Sequence, residues 1–140
     1  MYAVDVGYGQ LDYSLRQDSR VVVMERVNAR YLLSEDLPES CRLAVFDVSF
    51  ISVVKVVPAV SALLEDGGYL LPLIKPQFEA GKGKVGKGGI VRSAEQRQWI
   101  VEDCAAQIEA LGLVTEGIVE SPVAGAKGNR ESFALFRRIR

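Results

Sequence analysis

Short apolar runs alternate with amphipathic stretches along this chain. Tyr2-Ala3-Val4-Asp5-Val6 and Arg20 to Glu25 read as strands, with a short helix from Gln10 to Gln17 between them that puts Leu11 and Leu15 on one face. Arg42 to Asp47 is a third strand. Ile51, Val54, Val57 and Leu64 then recur at helical spacing, with Pro58 as a kink or restart, and Asp66-Gly67-Gly68 closes that helix. Tyr69 to Ile74 is apolar almost throughout, as expected of a central strand covered on both faces. A capping box, Ser93-Ala94-Glu95-Gln96, opens a helix carrying Ile100, Cys104, Ile108 and Leu111, and Gly112 stops it. Val114 to Val119 and Ser132 to Ile139 are the last two strands.

Strands alternating with helices predict an α/β fold with a mostly parallel, doubly wound sheet. The loop from Ser121 to Arg130 is too short for a helical crossover, so the last strand is expected to run antiparallel. No repeat, low-complexity tract or linker divides the chain, and residues 1–140 read as one domain.

Chemistry gathers at the strand ends. Lys75 leaves the central strand just before Pro76, which cannot extend the ladder, and Asp47 stands at the corresponding end of the third strand. In open parallel sheets such ends border the ligand crevice. Asp5 holds a similar place, suited to ribose hydroxyls. The Gly7-Tyr8-Gly9 turn after it has Asp12 where a dinucleotide fingerprint needs a third glycine. Beyond Lys75, Gly81 to Gly89 is rich in glycine and carries Lys82, Lys84 and Lys87, a basic loop able to meet a polyanion. Each feature also has a plainer reading. A strand-end acid can cap the next helix, a lysine before proline can be a solvated turn residue, and a lysine-rich loop can simply be hydrated. Arg137, Arg138 and Arg140 read as a solubilising edge or tail. Tyr8 and Trp99 read as packing residues, with base stacking open to Tyr8.

Composition narrows the chemistry. Seventeen basic and eighteen acidic residues leave a net charge of -1, so affinity for nucleic acid must come from local clustering. The chain has no histidine, which removes histidine triads and most catalytic zinc sites and leaves general-base work to lysine or a carboxylate. Cys41 and Cys104 are far apart and in no metal-ligand spacing, as in a reduced cytosolic protein, and no metal is expected. No apolar run reaches the roughly 18–20 residues that span a bilayer. The reading is therefore a cytoplasmic protein with no membrane partner.

Six segments, taken in order, resemble the TlyA (hemolysin A) family, a branch of the FtsJ-like ribose methyltransferases. They are Val4 to Leu11, Arg26-Val27-Asn28-Ala29-Arg30, Phe46-Asp47-Val48-Ser49-Phe50-Ile51-Ser52, Ile74-Lys75-Pro76-Gln77-Phe78-Glu79, Gly88-Gly89-Ile90-Val91-Arg92, and Ser121-Pro122 followed by Gly128-Asn129-Arg130-Glu131. The resemblance implies a Rossmann-like methyltransferase fold and S-adenosylmethionine-dependent methylation of ribose 2′-hydroxyls in ribosomal RNA, with the RNA or a ribosomal subunit as partner. It also implies that Asp47, Lys75 and Glu131 are three members of the family's Lys-Asp-Lys-Glu group. Asp5, Asn28 and Asp47 would then contact the cofactor, and Lys82, Lys84, Lys87 and Arg92 the RNA. A lysine base must be deprotonated, and Asp47 would orient Lys75 while favouring its charged form.

The family's first lysine has no counterpart here. The resemblance also places that lysine, the sheet's first strand and a glycine-rich turn before Val4, so the fold is expected to be N-terminally incomplete and the chain catalytically impaired. The strands ending at Val6 and Asp47 should then either pair directly or leave apolar edges open to homo-oligomer formation. Two other functions stay open: a non-catalytic RNA-binding remnant, and a membrane-active hemolysin, which no spanning or strongly basic amphipathic segment supports.

Overall fold

Valine and leucine runs do form the strands, but they assemble into two sheets rather than one. The computed structural model describes residues 1–81 and 85–140. β1 (Tyr2–Val4) pairs in parallel with β2 (Val22–Met24) across a short helix, α1 (Tyr13–Arg16). The larger sheet holds β3 (Cys41–Phe46), β4 (Leu64–Ile74), β5 (Leu113–Glu120) and β6 (Ser132–Arg138) in the order β3-β4-β6-β5. β3 and β4 are parallel, whereas β6 enters between β4 and β5 and runs antiparallel to both. The antiparallel last strand expected from its short connection is thus present.

The expected strands ending near Val6 and Asp47 do not pair with each other. β1 pairs with β2, β3 pairs with β4, and no ladder joins the two sheets among the described residues. Leu43 and Val45 on β3 are 54% and 64% exposed. Of the two outcomes set out for these strands, open apolar edges is the one observed.

Two elements differ from the periodicity reading for physical reasons. The stretch from Ile51 to Leu64 is not one helix: a 3₁₀ turn at Val53–Lys55 is followed by α2 (Val57–Ala62), with Pro58 in its first turn. There the missing N–H has no helical acceptor to lose. β4 starts at Leu64 instead of Tyr69, so Asp66-Gly67-Gly68 lies within the strand, where the β3 register shifts. Gly67 has φ +79, and a Cβ at Gly68 would sit 2.9 Å from the Glu65 carbonyl and 3.3 Å from that of Arg42. The glycines therefore serve a bulge rather than a helix stop.

The main core joins Val57 and Val60 of α2, Leu64, Leu70 and Ile74 of β4, and Ala134 and Phe136 of β6. α4 (Ala94–Glu109) adds Val101, Cys104, Ala105 and Ile108, and its N-cap Ser93 accepts a hydrogen bond from the Gln96 N–H. Fully burying one such aliphatic or aromatic side chain contributes about 1.5–3 kcal/mol, so this cluster dominates stability. A satellite of Leu32, Leu37 and Leu63 supports Tyr2, Val4 and Met24 of the small sheet. The C-terminal arginines are more engaged than a loose tail. Arg138 donates to the carbonyls of Ser61 and Leu64, and Arg137 pairs with Glu116 at 2.6 Å.

Candidate active site at the strand ends

Because β3 and β4 are parallel neighbours, the residues just past their ends are brought side by side. Lys75 forms an ion pair with Asp47 and donates to Ser49 Oγ at 3.1 Å. The Lys75 side chain is 11% exposed, whereas that of Asp47 is 65% exposed. The lysine is thus sunk among packed groups while its partner carboxylate faces solvent. Pro76 begins a single helical turn, α3 (Pro76–Glu79), which turns the chain where Lys75 leaves the sheet.

Glu131 joins them from the antiparallel side. It immediately precedes β6, whose Ser132 is in register with Ile74, the residue before Lys75. Glu131 is 4% exposed and its Oε2 has no hydrogen-bond partner among the described residues. Burial pushes its carboxyl above the ordinary value, the Lys75 ammonium pulls it down, and the Asp47 carboxylate pushes it up. These three sequence-predicted residues therefore share one electrostatic site. A buried carboxylate oxygen without a partner is costly unless a ligand satisfies it.

Glu79 also ties the two strand ends together. Its carboxylate accepts from Ser52 Oγ at 2.6 Å and from the Val53 N–H at 2.8 Å, bridging 27 and 26 residues, and from the Cys104 thiol. Burial pushes Glu79 up, against the pull of these donors. Burial likewise pushes the Cys104 thiol up, reinforced by Glu79, which makes it a poor nucleophile.

Between the Lys75 contacts and the Glu79 contacts stands Phe50. It is 90% exposed with φ +62, a left-handed backbone region that costs an L residue about 1–2 kcal/mol. Its ring lies 5.0 Å from that of Phe78, and Lys75 Nζ lies 6.0 Å from the Phe78 centroid. Sequence reasoning passed over Phe50 because helical periodicity explained its neighbours. The available signal was an aromatic residue outside that period, directly after a strand-end acid.

Asp5 and Asn28 lie at the ends of β1 and β2, linked through the Val27 N–H donating to the Asp5 carbonyl at 3.0 Å. Asp5 Oδ1 accepts from the Gly7 N–H, and Asn28 Oδ1 caps a 3₁₀ turn through the Arg30 N–H. Among the described residues no hydrogen bond or ion pair joins either one to Asp47, Lys75 or Glu131. Of the basic candidates, Lys82 and Lys84 lie outside the described residues, while Lys87 and Arg92 are exposed. Tyr8 is 69% exposed with the Arg26 guanidinium 4.8 Å from its ring centroid, so it is a surface rather than a packing residue. Trp99, 57% exposed, is likewise not core.

The segment after the basic loop is fastened to the Glu131 loop. Asn129 is 2% exposed; its Oδ1 accepts from the Val91 N–H at 3.1 Å and its Nδ2 donates to the carbonyls of Gly89 and Ala126. Lys127 Nζ donates to the Gly88 carbonyl at 2.8 Å. No group of three or more acidic, cysteine or histidine residues suited to a metal occurs among the described residues, and no helix there is long and apolar enough to cross a membrane.

Comparison with known proteins places the chain and its fold. Residues 1–138 match the FtsJ-like methyltransferase family. The chain is 46% identical over 135 residues to the 16S/23S rRNA (cytidine-2'-O)-methyltransferase TlyA of Mycobacterium tuberculosis, covering 96% of this chain and 50% of that protein. It is 41% identical over 140 residues to Hemolysin A of Brachyspira hyodysenteriae, covering 97% and 57%. A solved structure of a Streptococcus thermophilus protein bearing the hemolysin name superposes with a TM-score of 0.94 at 41% identity, covering 98% of this chain and 50% of that one. The N-methyltransferase NodS of Bradyrhizobium japonicum in complex with S-adenosyl-L-homocysteine shares the fold, with a TM-score of 0.63 at 14% identity, covering 99% and 66%. The chain spans about half the length of the curated relatives it matches.

Proposed function

The chain belongs to the FtsJ-like methyltransferase family, and on that premise we propose that it carries the ribose-methylating site of an S-adenosylmethionine-dependent ribosomal RNA methyltransferase. The observation that carries this reading is a nearly buried lysine held between Asp47 and Ser49, with its charge felt by a buried, unsatisfied Glu131.

The residues fit the cofactor. Asp5 offers an exposed carboxylate at a strand end, suited to a ribose diol, and Asn28 flanks it. Asp47 and the unpartnered Oε2 of Glu131 are acceptor groups that would suit a cationic sulfonium. When bound, S-adenosylmethionine supplies an electrophilic methyl group. The chain's own work is on the hydroxyl: Lys75 Nζ, when neutral, takes the 2′-hydroxyl proton, and Asp47 stabilises the ammonium so formed. Glu131 Oε2 accepts from the hydroxyl or from Lys75 and fixes its direction. Phe50 supports the nucleic-acid side of the reading, because an exposed aromatic face held in a strained backbone beside the lysine suits stacking on an unpaired base. Lys82, Lys84, Lys87 and Arg92 are assigned to phosphate contacts, which predicts affinity that falls steeply with salt.

Transfer of labelled methyl from the cofactor to ribosomal RNA, followed by digestion to nucleosides, tests this. The expected product is a 2′-O-methyl nucleoside, with Lys75→Met reducing the rate at least 100-fold; base methylation would overturn the reading. Among the described residues no ladder joins the sheet carrying Asp5 to the one carrying Lys75, which favours a second reading, RNA binding without transfer. Calorimetry separates the two, since that reading requires RNA binding with no uptake of S-adenosylmethionine.

A further inference from the structure

We propose that Gly125 is a positioning residue for Glu131: a position with no side chain at residue 125 is what seats the Glu131 carboxylate at the strand ends. An ideal Cβ built on Gly125 would overlap Oε1 and Cδ of Glu131 and lie 3.0 Å from Oε2. Backbone conformation does not call for glycine there. Its φ of -78 and ψ of -166 are open to any residue, unlike the positive φ of Gly88, Gly89 and Gly128. The glycine is therefore explained by space alone.

Both backbones are pinned, so the carboxylate end of the Glu131 side chain is the part that would move. The Glu131 carbonyl accepts from the Ser121 N–H at 2.8 Å, and the Gly125 N–H donates to the Asn129 carbonyl at 2.7 Å. Asn129 is itself locked to Gly89 and Val91. Glu131 Oε2 makes no hydrogen bond that would hold the carboxylate in place, so the shape of the seat sets its position. One methyl group at residue 125 would push the carboxylate out of the seat.

The proposal rests on the reading that Glu131 and Lys75 share one site, and the test keeps the two apart. The probe is the Glu131 side-chain carboxyl followed by carbon NMR titration of this chain, assigned by its loss in Glu131→Gln. With the seat intact, Glu131 titrates above the ordinary carboxylate range, and Lys75→Met moves it higher by removing the nearby cation. In Gly125→Ala the titration returns toward the ordinary value and Lys75→Met no longer moves it. An unchanged titration with an unchanged response to Lys75→Met overturns the seat. If Lys75→Met has no effect in the wild type, the shared site fails, and the seat is judged on the Gly125→Ala shift alone.

A second measurement covers loss of folding. Any loss of Tm in Gly125→Ala comes from displacing the Glu131 carboxylate, so it should shrink in the Glu131→Ala background, where the methyl enters vacated space. An equal loss of Tm in both backgrounds overturns the proposal.

Discussion

β4 is paired on both edges and contributes Leu64, Leu70 and Ile74 to the main core, whereas β1 is paired on one edge and rests on a satellite of three leucines. Both end in a side chain assigned to the site, Lys75 and Asp5. The proposed base is thus carried by the well-supported sheet, and one of the proposed cofactor contacts by the lightly supported one. Acids differ in the same way. Side-chain hydrogen bonds hold Asp12, Asp18 and Glu25 on the small-sheet side below their ordinary values, through Ser14, Arg20 and Arg16 respectively. Burial raises Glu79 and Glu131 in the site. The lesson is that one side of this molecule is built by exposed polar contacts and the other by burial.

Cavity-forming substitutions give the largest test of that contrast. Phe136→Ala, in the centre of β6, is expected to cost about 3–5 kcal/mol of global stability, and Leu37→Ala about 2 kcal/mol. The two should also differ in reach. Hydrogen exchange in Leu37→Ala should accelerate at the β1–β2 amides, such as Asp5 N–H to the Met24 carbonyl, and leave β4–β6 nearly unchanged. Uniform acceleration would show that the two sheets unfold as one unit and erase the distinction.

Glu79→Gln is next in size. An amide cannot accept from Ser52, Val53 and Cys104 as the carboxylate does, because its NH₂ must face one of those donors. The expected cost is about 1–3 kcal/mol, as for breaking a charge-assisted hydrogen-bond cluster. Because Glu79 joins the segments carrying Asp47 and Lys75, methyl transfer should fall by more than the loss of folded protein explains. Activity that tracks the folded fraction would make Glu79 a stability residue only.

The pH dependence sharpens the comparison further. The depressed Asp12, Asp18 and Glu25 contribute stability above their ordinary values of 3.8, 3.8 and 4.5, and that contribution is lost as pH falls through their lower folded values. The raised Glu79 and Glu131 do the reverse: their contribution is complete below 4.5 and is lost as pH rises through their folded values. Acidification below about pH 4 should therefore loosen the β1–β2 amides first. Raising the pH from 4.5 towards 7 should instead weaken the site side, and Glu131→Gln should flatten that second slope. The same order of loss in both directions would contradict the assigned shifts.

How much of this was legible in the sequence follows the same division. Lys75 and Asp47 were readable because an apolar strand ending in a charged residue constrains both position and direction, and the antiparallel last strand followed from a short loop. The early start of β4 was hidden because Asp66-Gly67-Gly68 has the composition of a stop, while only the neighbouring backbone makes it a bulge. The open edges of β1 and β3 were set out as one of two outcomes, since pairing depends on a partner that periodicity does not specify. Glu131 was found through resemblance alone: a buried charge in a loop has no hydrophobic pattern. Gly125 and Phe50 were missed because their roles rest on space and on a positive φ, which residue type does not reveal.

Phe50 yields the smallest expected change in stability and the cleanest separation of stability from function. Glycine at residue 50 relieves a left-handed backbone that costs about 1–2 kcal/mol for an L residue. It also removes the contact with Phe78, worth about 0.5–1.5 kcal/mol beyond area burial. The two nearly cancel, so Phe50→Gly should unfold within about 1 kcal/mol of wild type. RNA affinity should nevertheless fall by about 1–3 kcal/mol if the ring stacks on a base. Phe50→Trp, which keeps an aromatic face, should retain most of that affinity, as measured by titration of a ribosomal RNA fragment at fixed salt. A ring that mattered only for packing would give the opposite pattern, with stability lost and affinity kept. A strained, solvent-facing aromatic that adds little to folding has its face free for a ligand, and this pair of variants measures that contact directly.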